Sequence, residues 1–212
     1  MSIEGSRRQS TVGLTASFPS IVMTQRKPEN SLLALRPLRV ADERSFRRAV
    51  DEFRKKEPLW LFAFHFEAST DFAEYVRRLD GWTSGQALPE GFVPNTFLVG
   101  VVRNTIIGRV SIRHELNDYL SMYGGHAGYG VLPSQRNRGY ASQMLSLTLP
   151  IAAKLGIPRL LVTCDADNPA SQRVIEKAGG KLENVLKGPG KTVPKKRYWI
   201  ETSAATTTGD IE

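Results

Sequence analysis

The residues Arg136-Asn137-Arg138-Gly139-Tyr140-Ala141 have the types and the order that hold a phosphorylated ligand such as a pyrophosphate. They join an apolar run that ends before Pro133 to a stretch in which Ala141, Met144, Leu145, Leu149 and Ala152 recur at helical spacing. They therefore form a turn into a helix N-terminus. At such a terminus the first backbone N–H groups lack partners and the helix dipole favours anions. Gly139 removes the Cβ from the path of a ligand, Ala141 keeps the next approach close, and Arg136 and Arg138 add charge-assisted donors. Over these residues alone, a tight strand-to-helix turn with solvated arginines reads the same way.

Proton chemistry has its own candidates. The segment Arg113-His114-Glu115-Leu116-Asn117-Asp118-Tyr119-Leu120 concentrates titratable and amide side chains. Glu115 could act as a base if burial raised its pKa, and His114 or His126 could do so near neutral pH with little tuning. The spacing of His114, Glu115 and Asp118 is nonspecific for a metal, so none is expected. Cys164 is the single cysteine; it excludes an internal disulfide and is read as a small buried residue, not a nucleophile.

The elements that must position these groups follow from periodicity. Leu32 to Leu38 reads as a strand, and a helix runs from Ala41-Asp42-Glu43 to about Lys56 with Asp42 as its cap. A second helix starts at Thr70 or Asp71 and reaches about Leu79, and the Gly, Pro and Ser residues between Gly81 and Pro94 predict a long loop. Thr96 to Val102 and Ile106 to Arg113 are two strands joined at Arg103-Asn104-Thr105, and another strand runs from about Gly125 to Leu132. Pro150 falls inside the helix after the anion-binding turn and predicts a kink roughly three turns from the ligand end. Lys181 to Lys187 and Arg197 to Glu201 supply the last strands.

About thirty residues beyond the turn, the strand-like Arg159 to Thr163 leads into Asp167-Asn168-Pro169-Ala170-Ser171. A short helix, Gln172-Arg173-Val174-Ile175-Glu176-Lys177-Ala178, follows and ends at Gly179-Gly180. The order of strand, RxxGxA turn, long helix, strand, NxxS and short helix resembles the GNAT acyltransferases, in the branch whose second motif reads Asn-x-x-Ser then Glu-Lys-x-Gly, as in ribosomal-protein-type acetyltransferases. The likeness covers roughly Leu35 to Glu201. It implies an α/β fold with a mixed, mostly antiparallel central sheet, splayed at the cofactor cleft and flanked by helices.

The same resemblance implies acetyl-CoA as cosubstrate and direct attack by an acceptor amine. Gly130, Val131 and Leu132 would then hold the pantetheine arm, and the amides of Arg138, Gly139, Tyr140 and Ala141, helped by the Ser142 hydroxyl, would take the pyrophosphate. Asn168 matches the asparagine that bonds the pantetheine amide or a nearby water; alternatively it caps the helix that Pro169 begins. The tyrosine that many relatives carry seven residues after that asparagine is replaced by Ile175, and Ser171 is the substitute acid or else a backbone partner. Glu115 is the preferred base. His126 is the other candidate, and it faces the cleft only if a bulge intervenes. The missing tyrosine leaves open a second class, an acyl-CoA-binding sensor without turnover.

Composition is that of one soluble α/β domain: 212 residues, with residues 31–201 as the folded part, 1–30 a loose N-terminal extension and 202–212 a loose tail. The net charge of +8 owes much to Lys177, Lys181, Lys187, Lys191, Lys195, Lys196 and Arg197. That basic face suits either solvent or an anionic partner; it carries no specific nucleic-acid signature. No apolar stretch is of membrane-spanning length and no secretory series opens the chain, so a cytoplasmic enzyme is expected, with homodimerisation left open.

Overall fold

In the computed structural model, residues 23–25, 33–58, 60–188 and 192–202 are described. Two helices precede the main strand pair: α1 (Glu43–Lys56) after β2 (Leu33–Pro37), then α2 (Phe72–Thr83). In α1 the buried Phe46, Ala49, Val50 and Phe53 fall at the i, i+3, i+4, i+7 spacing of one helix face. In α2 the same spacing buries Phe72, Tyr75, Val76 and Leu79, and the helix runs four residues beyond the Leu79 expected for its end. The Asp71 side chain caps it by accepting from the Glu74 N–H at 2.8 Å. Asp42 does not cap α1. Its carboxylate is buried against Arg36 in a bidentate pair at 2.7 and 2.8 Å, and it also accepts from the Arg39 N–H. Two buried opposite charges with their hydrogen bonds met outweigh a solvent-side cap.

The strands β3 (Asn95–Val102) and β4 (Thr105–Arg113) meet through Arg103 and Asn104, both at positive φ, a two-residue hairpin turn that matches sheet twist. Then come β5 (Ala127–Val131), α3 (Tyr140–Lys154), β6 (Arg159–Asp165), α4 (Pro169–Lys177), β7 (Lys181–Leu186) and β8 (Lys195–Glu201). With β1 (Met23–Gln25), the described strands form one eight-stranded sheet in the order β1-β2-β3-β4-β5-β6-β8-β7. All neighbours are antiparallel except β5 and β6.

Most of the segment expected as a loose extension lies outside the described residues, but Met23–Gln25 is described and pairs with β2. The expected tail from 203 onward also lies outside them. Thr202 is described, and its hydroxyl donates to Ile157 O at 2.6 Å.

Each sheet face carries its own core. α3 packs Met144, Leu145, Ile151 and Ala152 on one face with Ile175 of α4; α1 and α2 cover the other with an aromatic cluster around Phe46. The helix α3 continues past Pro150 as one element, and no membrane-crossing helix occurs among the described residues.

The parallel pair matters most for function. β5 and β6 share a single register pair, Ala127↔Val162, after which they separate. Antiparallel pairing alternates between bonded and non-bonded residues. The bonds from Arg113 N–H to His126 O and from Leu132 N–H to Ile107 O place Gly128 and Gly130 in the bonded positions facing β4. The backbone groups of Tyr129 and Val131 consequently face the opening.

Candidate active site

The opening between β5 and β6 continues into a cleft of about 590 Å³ that reaches the N-terminus of α3; Trp60, Tyr129, Val131, Gly139, Asn168 and Ser171 are among its lining residues. At its far end the turn behaves as its composition dictates. Asn137 and Gly139 sit at φ of 62° and 76°, and alternating left-handed residues turn successive N–H groups toward one concave side. The first helical bond runs from Gln143 N–H to Gly139 O, so the amides of Tyr140, Ala141 and Ser142 have no helical acceptor. No side chain caps α3 and no acid occupies its first turn. An anion fits there, and the cleft between this terminus and Ser171 has room for an extended arm.

The expected cofactor residues divide into groups. Gly130, Val131, Gly139, Tyr140, Ala141, Ser142 and Asn168 all line the cleft. Leu132 is buried outside the lining, and its N–H is committed to Ile107 O. The Gly130 peptide is turned to β4, so the backbone groups that face the opening beside it are those of Tyr129 and Val131. Gly130 has another use: a Cβ there would come within 2.5 Å of the Trp60 ring, so the glycine lets that indole lie flat over the strand. Arg136 is a strut. Its Nη1 bonds Glu57 Oε1 at 2.7 Å and its Nε bonds Val131 O at 3.3 Å, tying the end of α1 to the end of β5. Arg138 is exposed and lies outside the lining.

Asn168 caps α4 as its sequence position suggested, accepting from Ser171 N–H at 3.0 Å. The cap brings Ser171 to the cleft wall, where its hydroxyl meets the Tyr129 hydroxyl at 2.9 Å. Tyr129 was not singled out by the sequence, because a tyrosine between two glycines carries no periodic or motif signal; only the register of β5 against α4 joins it to Ser171. Burial pushes its hydroxyl up to about 12, against the lowering effect of the Ser171 bond, so it holds its proton throughout the neutral range. Cys164 lies buried behind this pair, its thiol also raised by burial.

The two expected bases are in different situations. His126 stitches the fork shut: its backbone N–H donates to Leu161 O, and its Nδ1 accepts from Leu161 N–H at 2.9 Å. With Nδ1 spent, the neutral ring carries its hydrogen on Nε2 and has no lone pair for an acceptor proton. Burial, then the Arg113 charge, press its pKa down from 6.5 to about 4. Between those values the unfolded chain binds a proton that the native state refuses, so His126 subtracts stability as pH falls from 6.5 toward 4. Thermal melting across that window should drop more steeply in the parent than in His126→Gln; parallel slopes would mean that the imidazole is not held neutral.

Glu115 is exposed and outside the cleft lining, two residues beyond Arg113, and forms no ion pair among the described residues. His114 bonds Thr96 Oγ1 through Nε2 at 2.9 Å.

Comparison with known proteins came to the same architecture. The model of the acetyltransferase (GNAT) domain matches residues 33–181. A curated relative, the uncharacterized N-acetyltransferase YnaD of Bacillus subtilis (strain 168), is 31% identical over 85 residues. That match covers 38% of this chain and 48% of the relative, about half of its length. Among solved structures, RimJ of Mycobacterium smegmatis in complex with CoA-disulfide superposes with a TM-score of 0.60 at 17% identity, over 85% of this chain and 86% of that one. The putative acetyltransferase yncA from Salmonella typhimurium, solved with its cofactor acetyl-CoA, gives 0.55 at 13% identity over 84% and 99%.

Proposed function

Since this chain belongs to the GNAT acetyltransferase family, we propose that it is an N-acetyltransferase that moves an acetyl group from acetyl-CoA to a primary amine by direct attack, in the cytoplasm. The observation that carries the reading is one cleft with two suitable ends: the uncapped amides of α3, and the Tyr129–Ser171 hydroxyl pair where β5 and β6 part. Acetyl-CoA, when bound, supplies an acetyl group activated as a thioester. The amides of Tyr140 and Ala141 with the Ser142 hydroxyl hold the pyrophosphate, and the outward backbone groups of Tyr129 and Val131 hold the pantetheine arm.

In the transfer a C–N bond forms, the C–S bond breaks, one proton leaves the amine and one arrives at the sulfur. Tyr129 carries a hydroxyl that stays protonated at neutral pH, and Ser171 accepts or relays across the 2.9 Å contact. These two hydroxyls take the place that Ile175 leaves empty. Glu115 is the proposed acceptor of the amine proton; it is exposed outside the cleft and not buried as its role as a tuned base required, so the proton would reach it through solvent, while His126 has no open lone pair.

Thiol release from acetyl-CoA in the presence of an amine panel tests the reading, together with calorimetric titration of CoA. Tight binding with no release for any amine would favour the acyl-CoA sensor. Glu115→Gln keeps the shape and hydrogen bonding of the side chain but removes the proton acceptor. It should lower kcat/KM by about tenfold or more, with CoA affinity unchanged. A Glu115→Gln enzyme with the parent's kcat/KM would assign the proton to solvent alone.

A further inference from the structure

Two guanidinium groups converge on Gly128, the first residue of β5 beyond its last pairing with β6. Arg109 reaches it from β4, its Nη1 donating to Gly128 O at 3.2 Å. Arg113 lies over the Cα of the same residue, where a Cβ would meet its Nη1 at 3.1 Å. Neither arginine pairs with a carboxylate among the described residues.

Their settings differ. Arg109 is 3% exposed and wedged against Trp60 and Phe64, with its charge 4.2 and 4.9 Å from the ring centroids. It also donates to Leu61 O, and its Nε has no partner. It is a fixed part of the wall. Arg113 is partly exposed and, among the described residues, its side chain hydrogen-bonds only at long range, to the carbonyls of Gly124 at 3.4 Å and Gly125 at 3.5 Å. The face they occupy is the one covered by α1, α2 and the aromatic residues from Trp60 to Phe66, opposite α3 and the Tyr129–Ser171 pair. On that face Tyr75 Oη and Asn95 Oδ1 are also buried without partners.

Buried cations are normally paired, because an uncompensated charge out of water is costly. Here the missing anion is at the fork, where an acceptor amine has to meet the thioester. A polycation would be repelled there. An amine that brings its own carboxylate or phosphate would complete the pair, and the same field would favour the neutral, attacking form of its amino group.

We infer that the acceptor site takes a small amine bearing an anionic group, a carboxylate or a phosphate, and that Arg113 is the specificity-determining residue that grips it while Arg109 holds the wall behind. This rests on the acetyltransferase reading for its location but not for its binding chemistry.

The test uses matched pairs: glycine against glycinamide, and O-phosphoethanolamine against ethanolamine, with spermidine as the polycation. Each is assayed by thiol release with acetyl-CoA and by calorimetric titration into the CoA-bound protein. The expected result is a preference of at least about tenfold for the anionic member of one pair, the size of one charge-assisted contact, and the responding pair names the anion. Arg113→Gln should bring that pair to near parity without changing CoA affinity, and Arg113→Lys should keep part of the preference. Equal handling of both members of each pair, a preference that survives Arg113→Gln, or faster turnover of spermidine would overturn the inference. So would acetylation of a peptide N-terminus with no binding of the anionic amines, although the acetyltransferase reading would then stand. Arg113-dependent binding of an anionic amine without turnover of any amine would do the reverse, sustaining the subsite and removing the transferase.

Discussion

Gly139→Asp is expected to weaken CoA binding at least about hundredfold while leaving the protein folded. At φ 76° an L-residue is strained, but aspartate tolerates that region better than most and is a favoured residue at a helix N-cap, which Gly139 occupies. The helix therefore accepts the substitution. The ligand would not, because the new carboxylate would stand where the pyrophosphate is proposed to lie, against the amides of Tyr140 and Ala141. Two like charges about 4 Å apart at a protein surface repel by roughly 4 kcal/mol, more than the ~2.7 kcal/mol that a hundredfold loss requires. Gly139→Ala separates the causes: it adds a Cβ and strain without charge, and should lose far less. Calorimetry with CoA is the measurement, beside a melting curve for each variant. Unchanged affinity in a folded Gly139→Asp protein would remove the phosphate site from this turn.

The second large effect is expected at the hydroxyl pair. Tyr129→Phe should lower kcat by about a hundredfold, within the usual range for removing a general acid, with the KM for acetyl-CoA within about threefold of the parent. Phenylalanine keeps the packing of the ring and removes only the proton source. Ser171→Ala should also lower turnover, since it leaves the buried Tyr129 hydroxyl without its 2.9 Å partner. The double variant should be little worse than the poorer single one, because two residues in one relay are not additive. If Ser171→Ala raises only the KM for acetyl-CoA, the serine is a binding residue that the Asn168 cap brings to the wall. If Tyr129→Phe retains full turnover, the proton reaches the sulfur from solvent.

Much of the turn before α3 and its surroundings was legible in the sequence. The turn from Arg136 to Ala141, the cap at Asn168 and the helices flanking the sheet are local matters, set by glycine at a positive φ, a proline at a first helical position and apolar residues at a spacing of three and four. Ser171 was legible as a candidate acid, but its partner Tyr129 was not. Tyr129 and Ser171 are 42 positions apart, and their contact depends on which face of β5 Tyr129 takes and on α4 packing against that face. A one-residue change of register would have turned Tyr129 toward Trp60 instead of Ser171.

By itself, then, the sequence determined most of the elements, their order and the uncapped helix terminus after Gly139, because those depend on neighbours within a few residues, whereas β1 within the expected extension was not read. Only the tertiary structure decided the polar roles. Arg136 became a strut to Glu57, Asp42 a buried partner of Arg36, and His126 a clasp on Leu161 with no lone pair to lend. The exchange of Gly130 for Tyr129 and Val131 as the outward-facing backbone came from the alternation of the β4–β5 pairing, which no local pattern states. Arginine, aspartate and histidine carry the same donors and acceptors wherever they stand, and which of these are spent is settled only when distant strands bring their partners within 3 Å or so.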